Sequence, residues 1–163
     1  MPRGFRIRPY CDADLGALRK MTQGLQEAEC AMDSSRAGWV DGGGAYTDWV
    51  LEEVASRSGA VFMAETEDGK EIGMVTCWRA EDPTDITVTV EWRTHLYVSD
   101  IFVEEAWRGQ NVAGALLEAA EQHGRTLGLA QMTIGLLAVN HAAKRAYEKS
   151  GFQDYELFLR KRL

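Results

Sequence analysis

Between Asp100 and Leu117 the chain reads Asp-Ile-Phe-Val-Glu-Glu-Ala-Trp-Arg-Gly-Gln-Asn-Val-Ala-Gly-Ala-Leu-Leu. A strand-like stretch, Ile101-Phe102-Val103, runs into a turn of small residues, and that turn opens a helix. The first N–H groups of a helix lack partners inside it and carry the positive end of its dipole. Where small residues leave them unobstructed, they close around phosphate oxygens. Gly109, Asn111, Ala113 and Gly114 supply the small or turn-tolerant positions, Gln110 and Val112 lie between them, and Arg108 adds a fixed positive charge. The chemistry on offer is the binding of a pyrophosphate, although a helix cap without any ligand uses the same residue types. No GxxxxGK followed by Ser or Thr is present, so a nucleoside triphosphatase loop is excluded. No GxGxxG follows the first strand, which leaves a dinucleotide-binding fold unsupported.

These residues need elements to hold them. Residues 5–8 alternate as a short strand closed by Pro9. Asp12 can cap a helix from about Ala13, in which Leu15, Leu18, Met21 and Leu25 recur at helical spacing. Residues 34–45 contain Gly42-Gly43-Gly44 and read as a loop. A second helix is expected from about Thr47, carrying Trp49, Val50, Leu51 and Val54 and ended by Gly59. Residues 60–66 and 72–78 read as strands joined by Glu67-Asp68-Gly69-Lys70, a hairpin turn. Residues 81–85 form an acidic loop. Residues 87–92 and 95–103 are rich in β-branched and aromatic side chains and read as strands. Residues 112–127 form an amphipathic helix with Val112, Leu116, Ala119, His123 and Leu127 on one stripe. A strand over 130–138, a short helix over 142–150 ended by Gly151, and a closing strand over 153–160 complete the chain. The order is β-α-α-β-β-β-α-β-α-β, one α+β domain over residues 1–163 with a mixed central sheet flanked by helices.

Composition narrows the function classes. The 163 residues suffice for one core-bearing domain, with 45% hydrophobic and 26% charged residues. No apolar run reaches the roughly 20 residues that span a bilayer, and MPRGFRIRPY has no apolar signal core. Cys11, Cys30 and Cys77 show neither a disulfide framework nor metal spacing, which points to the cytoplasm. His95, His123 and His141 are isolated, so no metal site is expected. Residues 1–99 hold 10 Lys+Arg against 17 Asp+Glu, a balance of −7, whereas residues 100–163 hold 8 of each. Such a field disfavours nucleic acid and favours a cationic partner; a solvated acidic surface that aids solubility is the other reading.

On these residues the chain resembles the GNAT superfamily of N-acetyltransferases. The family's coenzyme A loop follows Gln/Arg-x-x-Gly-x-Gly/Ala after a strand ending in Leu/Ile-x-Val. Here Ile101-Phe102-Val103 precedes Arg108-Gly109-Gln110-Asn111-Val112-Ala113. Asn111 stands where glycine is usual, and Glu105 where proline is common. Asn tolerates a left-handed backbone better than other non-glycine residues, so the loop is expected to keep its shape. The stretch Asn140-His-Ala-Ala143-Lys-Arg-Ala-Tyr147-Glu-Lys-Ser-Gly151-Phe152 matches Asn-x-x-Ala-x-x-x-Tyr-x-x-x-Gly-Phe, and Ile7-Arg8-Pro9 with Asp14 looks like a typical start of this family.

The resemblance implies direct attack of a neutral amine on the thioester of acetyl-CoA. An amine with a pKa near 10 must first lose a proton, at roughly 4 kcal/mol at pH 7. The leaving thiolate needs a proton in turn. Tyr147 is similar to the family's general acid, the alternative being a core tyrosine. Asn140 is similar to the residue that bonds the pantetheine arm, and it can also be the N-cap of the helix. In the family, backbone groups at the positions of Ile101 and Val103 pair with the pantetheine like an added strand, and the N–H of Phe102 or Val103 is expected to polarise the carbonyl. Polyamine-acetylating members carry a glutamate-aspartate pair where this chain has Ser99-Asp100, so Asp100 is the candidate base, with Glu91 and His95 as fallbacks; a structural role for Asp100 is the alternative. Trp39, Tyr46 and Trp49 are candidates to line an amine pocket, with Gly42–Gly44 letting it move. The implied activity is acetyl transfer from acetyl-CoA to a primary amine of a small molecule. Acetylation of a protein N-terminus or lysine, and a silent acyl-CoA sensor, are the alternatives. A homodimer is expected by analogy with the family.

Overall fold

The computed structural model describes residues 4–163, apart from the side chains of 41–43. Nine main elements follow in order: β1 Phe5–Pro9, α1 Leu15–Met32, α2 Trp39–Ser56, β2 Ala60–Thr66, β3 Glu71–Glu81, β4 Thr94–Val103, α3 Val112–Thr126, β5 Met132–Ile134 and α4 His141–Lys149. The five strands lie in the order β1-β2-β3-β4-β5. The first four are antiparallel neighbours, and β5 joins β4 in parallel, which makes the sheet mixed as expected.

Each face of the sheet has its own core. On one face Val75, Cys77, Leu96 and Val98 pack with Val112, Leu116, Leu117 and Ala120 of α3, all fully buried or nearly so. On the other, Val61, Met63 and Met74 meet Leu18 and Met21 of α1, with Leu51 and Val54 of α2 against them. Burial of apolar side chains on both faces is what holds the two helical layers to the sheet. Gly24 of α1 lies close to the ring of Phe102: a Cβ there would stand 3.0 Å from Cε2 and Cζ. The helix can therefore press against β4 at that point. Among the described residues, no helix is long and apolar enough to cross a membrane.

Three expectations are corrected. The Gly42–Gly44 segment is inside an 18-residue helix instead of a loop. Glycine costs roughly 0.5–1 kcal/mol per helical position relative to alanine, and packing of Val50, Leu51 and Val54 on the sheet outweighs that cost. Movement at the glycines is an expectation that falls partly on residues 41–43, whose side chains lie outside the described ones. Residues 87–92 form a turn and a short 3-10 stretch, Val90–Trp92, instead of a strand. Asp85 accepts from the Thr87 N–H and hydroxyl at 3.0 and 2.6 Å, and the Arg93 guanidinium donates to the Val88 carbonyl at 2.9 Å. Local side-chain bonds of this kind compete with a ladder. Residues 153–160 pair with no strand, and Tyr155, Leu157 and Leu159 are exposed. Alternation supplies a face, but a strand forms only on a neighbouring edge, and β5 provides three residues of edge. Arg160 instead donates to Ser35 Oγ at 2.6 Å and Asp33 Oδ2 at 2.8 Å.

Candidate active site

The site begins at a break in the sheet. β4 pairs with β5 only from Leu96–Met132 to Val98–Ile134, and then β5 ends. β4 continues to Val103, so from Ser99 onward no described strand pairs with it on that side. Such a half-paired strand can take up an extended polar chain as an added strand. Ile101 and Val103 pack toward the α3 core, and Phe102 packs toward the α1 core. All three side chains are thus spent on packing; the backbone of Phe102, like that of Glu104, is directed at β3, and that of Ile101 and Val103 at the gap.

Beyond Val103 the chain makes a 3-10 turn, Glu105–Trp107, in which Trp107 is buried. Glu105 is the first residue of that turn, where proline and acidic residues are both well tolerated. Arg108 donates from Nε to the Val103 carbonyl at 3.0 Å, and Gln110 donates to the Ala106 carbonyl at 3.0 Å. These bonds hold the loop on the strand. Gly109 has φ 76° and Asn111 has φ 62°, so the loop takes two left-handed steps before α3 begins. Asn111 is the N-cap of α3, yet its side chain accepts no capping bond. The first-turn N–H groups of Val112, Ala113 and Gly114 are therefore left for another acceptor. Val112 itself points into the core. The Asn111 amide lies over Gly114, where a Cβ would meet Oδ1 at 2.3 Å. Asparagine in place of glycine thus keeps the loop's shape and depends on the absence of a side chain at 114. At this φ, Asn111→Val is expected to cost about 1–2 kcal/mol in urea denaturation, with Asn111→Gly close to neutral. Equal stability of the valine and glycine variants would show that the left-handed step is not maintained.

A buried carboxylate lies on the other side of the break. β3 and β4 change register between Thr76–Asp100 and Cys77–Val98, which makes Ser99 an extra residue, a β-bulge. Leu96 and Val98 face α3 before the bulge, and Ile101 and Val103 do so after it. The bulge thereby brings Asp100 onto the face covered by α1 and α2. Asp100 is 6% exposed and its carboxylate is ringed by hydroxyls. Tyr46 Oη donates to Oδ1 at 2.9 Å and lies 3.1 Å from Oδ2, Thr76 Oγ1 donates to Oδ2 at 3.0 Å, and Ser99 Oγ donates to Oδ2 at 2.9 Å. Burial raises the Asp100 pKa above the usual carboxylate range, and the hydroxyl donors oppose that rise. The Tyr46 hydroxyl is pushed well up, first by burial and then by the Asp100 charge.

Aromatic rings continue from this cluster. Tyr46 and Trp49 are 5.6 Å apart between centroids, Trp49 and Trp78 5.8 Å, and Trp78 and Tyr97 5.4 Å. Glu29 of α1 adds negative potential felt by Tyr97, Asp100 and Tyr147, and Arg36 holds it at 2.9 Å. Negative charge beside ring faces is an environment for a cation.

Tyr147 sits on α4, its ring 6.0 Å from that of Phe152, and its hydroxyl makes no hydrogen bond to a described residue. Burial pushes its pKa up to about 12, with the charges of Glu29 and Asp100 adding to the effect. Asn140 caps α4, its Oδ1 accepting the Ala143 N–H at 3.1 Å. That cap leaves the amide nitrogen as a donor.

The fold therefore brings Asp100, Tyr46 and Trp49 together beside the gap. His95 lies five residues back along β4, roughly 16 Å from Asp100 at strand spacing, and Glu91 is exposed in the preceding 3-10 stretch. Neither fallback base belongs to the cluster. Trp39, at the start of α2, takes no part in the ring contacts among the described residues. Thr76, Ser99, Trp78, Tyr97 and Glu29 were not anticipated. Only a cross-strand pairing of Thr76 with Asp100 could have pointed to them, and register is not written in either strand alone.

Comparison with known proteins gives a consistent result. The family model described as Acetyltransferase (GNAT) family matches residues 25–152. A Bacillus subtilis (strain 168) protein called uncharacterized N-acetyltransferase YycN is 30% identical over 67 residues, 41% of this chain and 43% of that protein. The chain thus matches less than half the length of that relative. The tetramutant of the BH1408 protein from Bacillus halodurans has a similar fold, with TM-score 0.84 at 18% identity over 97% of this chain and 99% of that one. The aminoglycoside N-acetyltransferase AAC(6')-Iy in complex with CoA has TM-score 0.74 at 23% identity, covering 100% of this chain and 99% of the other. The same enzyme in complex with the bisubstrate analog CoA-S-monomethyl-acetylneamine has TM-score 0.71 at 21% identity, over 98% and 99%.

Proposed function

Because the chain belongs to the acetyltransferase (GNAT) family, we propose that it moves an acetyl group from acetyl-CoA to a primary amine of a small cationic molecule. The observation that carries this reading is the edge of β4 from Ser99 to Val103, which no described strand pairs on that side and which leads through the 105–111 turn and loop to the uncapped first turn of α3. The pantetheine arm would pair along that edge, and the pyrophosphate would accept from the N–H groups of residues 112–114, with Arg108 close by. The Asn140 amide nitrogen is available to the same arm. The acceptor would enter on the α1–α2 side, where Asp100, Glu29 and the rings of Tyr46, Trp49 and Tyr97 favour a cation, with buried Trp78 backing Trp49 and Tyr97. The acidic balance of residues 1–99 agrees with that choice. Known amine chemistry on a similar fold, an analog joining CoA to an acetylated neamine, supports it as well.

The chemistry assigned to this chain's residues has two halves. The amine must be deprotonated on the Asp100 side before it attacks the thioester carbonyl. The backbone N–H of Val103, on the open edge, would polarise that carbonyl. Tyr147, protonated throughout the neutral range, would donate a hydrogen bond to the departing sulfur. Its pKa of about 12 lies roughly 3.5 units above that of an ordinary thiol, so complete transfer to a free thiolate would cost about 5 kcal/mol. A hydrogen bond that strengthens as charge develops on sulfur is therefore the role that fits its acidity.

The test is thiol release from acetyl-CoA over polyamines, aminoglycosides, amino acids and a lysine-bearing peptide. Turnover is expected on at least one polycationic small amine and to exceed that on zwitterionic amino acids. Modification of the peptide alone would move the reading to protein acetylation. Tight CoA binding with no release on any acceptor would replace it with an acyl-CoA sensor.

A further inference from the structure

We propose that Tyr46 is the group through which the acceptor ammonium loses its proton, with Asp100 as the proton's destination. The inference rests on the amine-acetylating reading above and adds a catalytic residue to it.

Asp100 cannot meet a substrate directly, because hydroxyls occupy its carboxylate and only 6% of the residue is exposed. The three hydroxyls are not equivalent. Thr76 is 1% exposed, and its oxygen already accepts the backbone N–H of Asp100 at 3.2 Å. Ser99 sits in the bulge next to Asp100. Tyr46 alone reaches the carboxylate from another layer, on α2, and it is half-buried. Its one proton is directed at Asp100, and its oxygen, which also lies 3.4 Å from Ser99 Oγ, keeps a lone pair to accept an N–H from outside. Trp49, 46% exposed and with its ring 5.6 Å from that of Tyr46, offers an ammonium an approach to that oxygen. Proton transfer balances in a single concerted shift. The N–H bond of the ammonium breaks and its proton binds Tyr46 Oη, while the former Tyr46 proton moves to Asp100 Oδ1. This leaves a neutral amine, an intact phenol and a neutral carboxylic acid. Attack on the thioester then forms the C–N bond and breaks the C–S bond, the second N–H proton of the amine leaves with the sulfur as the free thiol, and Asp100 returns its proton through Tyr46 to solvent. Glu29 from α1, Tyr97 from β4 and Tyr147 from α4 are the other titratable groups facing the cluster, with Arg36 paired to Glu29.

The experiment uses an amine that the wild-type protein is found to acetylate, and it records kcat and kcat/KM from about pH 6 to 10, roughly the span between histidine and lysine titration. Tyr46→Phe keeps the ring and removes the relay. It is expected to lower kcat about 100-fold near neutrality, with the loss shrinking as pH approaches the amine's own pKa and acetyl-CoA KM unchanged. Asp100→Asn should show the same pH-dependent loss, and the double variant should be no slower than either single one. Ser99→Ala removes one donor to Asp100 but no step of the relay, so it should move the midpoint of the profile without the loss of about 100-fold. Near-ultraviolet circular dichroism checks that each variant is folded. A Tyr46→Phe profile that matches wild type, or that scales down equally at every pH, overturns the relay. So does a Ser99→Ala variant that reproduces the pH-dependent loss while Tyr46→Phe is silent. Absence of wild-type turnover on every amine removes the acetylation reading itself, which is a separate outcome.

Discussion

Replacing Arg8 by alanine is expected to destabilise the protein by roughly 3 kcal/mol in urea denaturation at pH 7, at the lower end of the range for breaking a buried ion pair. Arg8 stands on β1 and grips Asp14 with both guanidinium ends, Nη1 to Oδ2 at 2.7 Å and Nη2 to Oδ1 at 2.8 Å. The low end applies because the Arg8 side chain is 22% exposed while Asp14 is almost fully buried. Asp14 also accepts the Cys11 N–H at 2.8 Å, so the pair ties the end of β1 to the start of α1. On its other edge Arg8 bonds Glu65 of β2, which Arg6 also holds. Without Arg8, Asp14 is left as a buried charge with only one backbone donor. Arg8→Lys should recover little, because an ammonium cannot reproduce the two-pronged fork.

The same pair sets an acid limb. The Arg8 hydrogen bonds hold the Asp14 pKa at about 2, below its ordinary value of 3.8. A folded-state pKa below the unfolded one gives stability that is complete above the unfolded value and is lost as pH falls through the folded one. Wild-type melting temperature should therefore decline between about pH 4 and pH 2 through this group. In Arg8→Ala the Asp14 pKa is no longer held down, so this decline should flatten and the stability gap to wild type should narrow toward pH 2. If the two proteins share one acid profile and differ by less than about 1 kcal/mol, the pair is not a stabilising element.

Tyr147→Phe is expected to lower kcat about 10-fold or more, with the acetyl-CoA KM and the melting temperature little changed. The variant keeps the ring against Phe152 and removes an oxygen that bonds no described residue, so folding loses almost nothing. On the proposed function, what it removes is the donor for the developing thiolate. Steady-state thiol release at saturating acetyl-CoA is the measurement. Because burial raises the hydroxyl to about 12, Tyr147 stays protonated across the neutral range, and an alkaline fall in rate below pH 10 would have to come from another group. Undiminished turnover in Tyr147→Phe would leave the tyrosine as a core residue.

The resemblance seen in the residues also has a physical basis in the fold. The opening Ile7-Arg8-Pro9 with Asp14 is the ion pair just described. The small residues from Gly109 to Gly114 form a loop with two left-handed steps, and asparagine takes one of them as its tolerance allows. Asn140 caps its helix as its type and place suggested. These features were legible because each is local: a turn, a cap or a helix start is decided within a few residues by sterics and nearby hydrogen bonds.

Features that depend on a partner were not legible. The glycine-rich segment read as a loop, yet the packing of α2 on the sheet draws it into helix. Residues 153–160 have a strand's alternation and no edge to pair with. Above all, an unbroken period of two would set Ser99 with Tyr97 and Ile101. The bulge at Ser99 shifts the phase, so that Asp100 faces α2 and meets Tyr46 across 54 residues of chain. The sequence by itself determined the family, the local loop and caps, and the kinds of side chain available for acid–base work. The tertiary structure alone decided which of them meet, because a strand's register is settled by its neighbour and a hydrogen bond between distant residues exists only after both layers are packed.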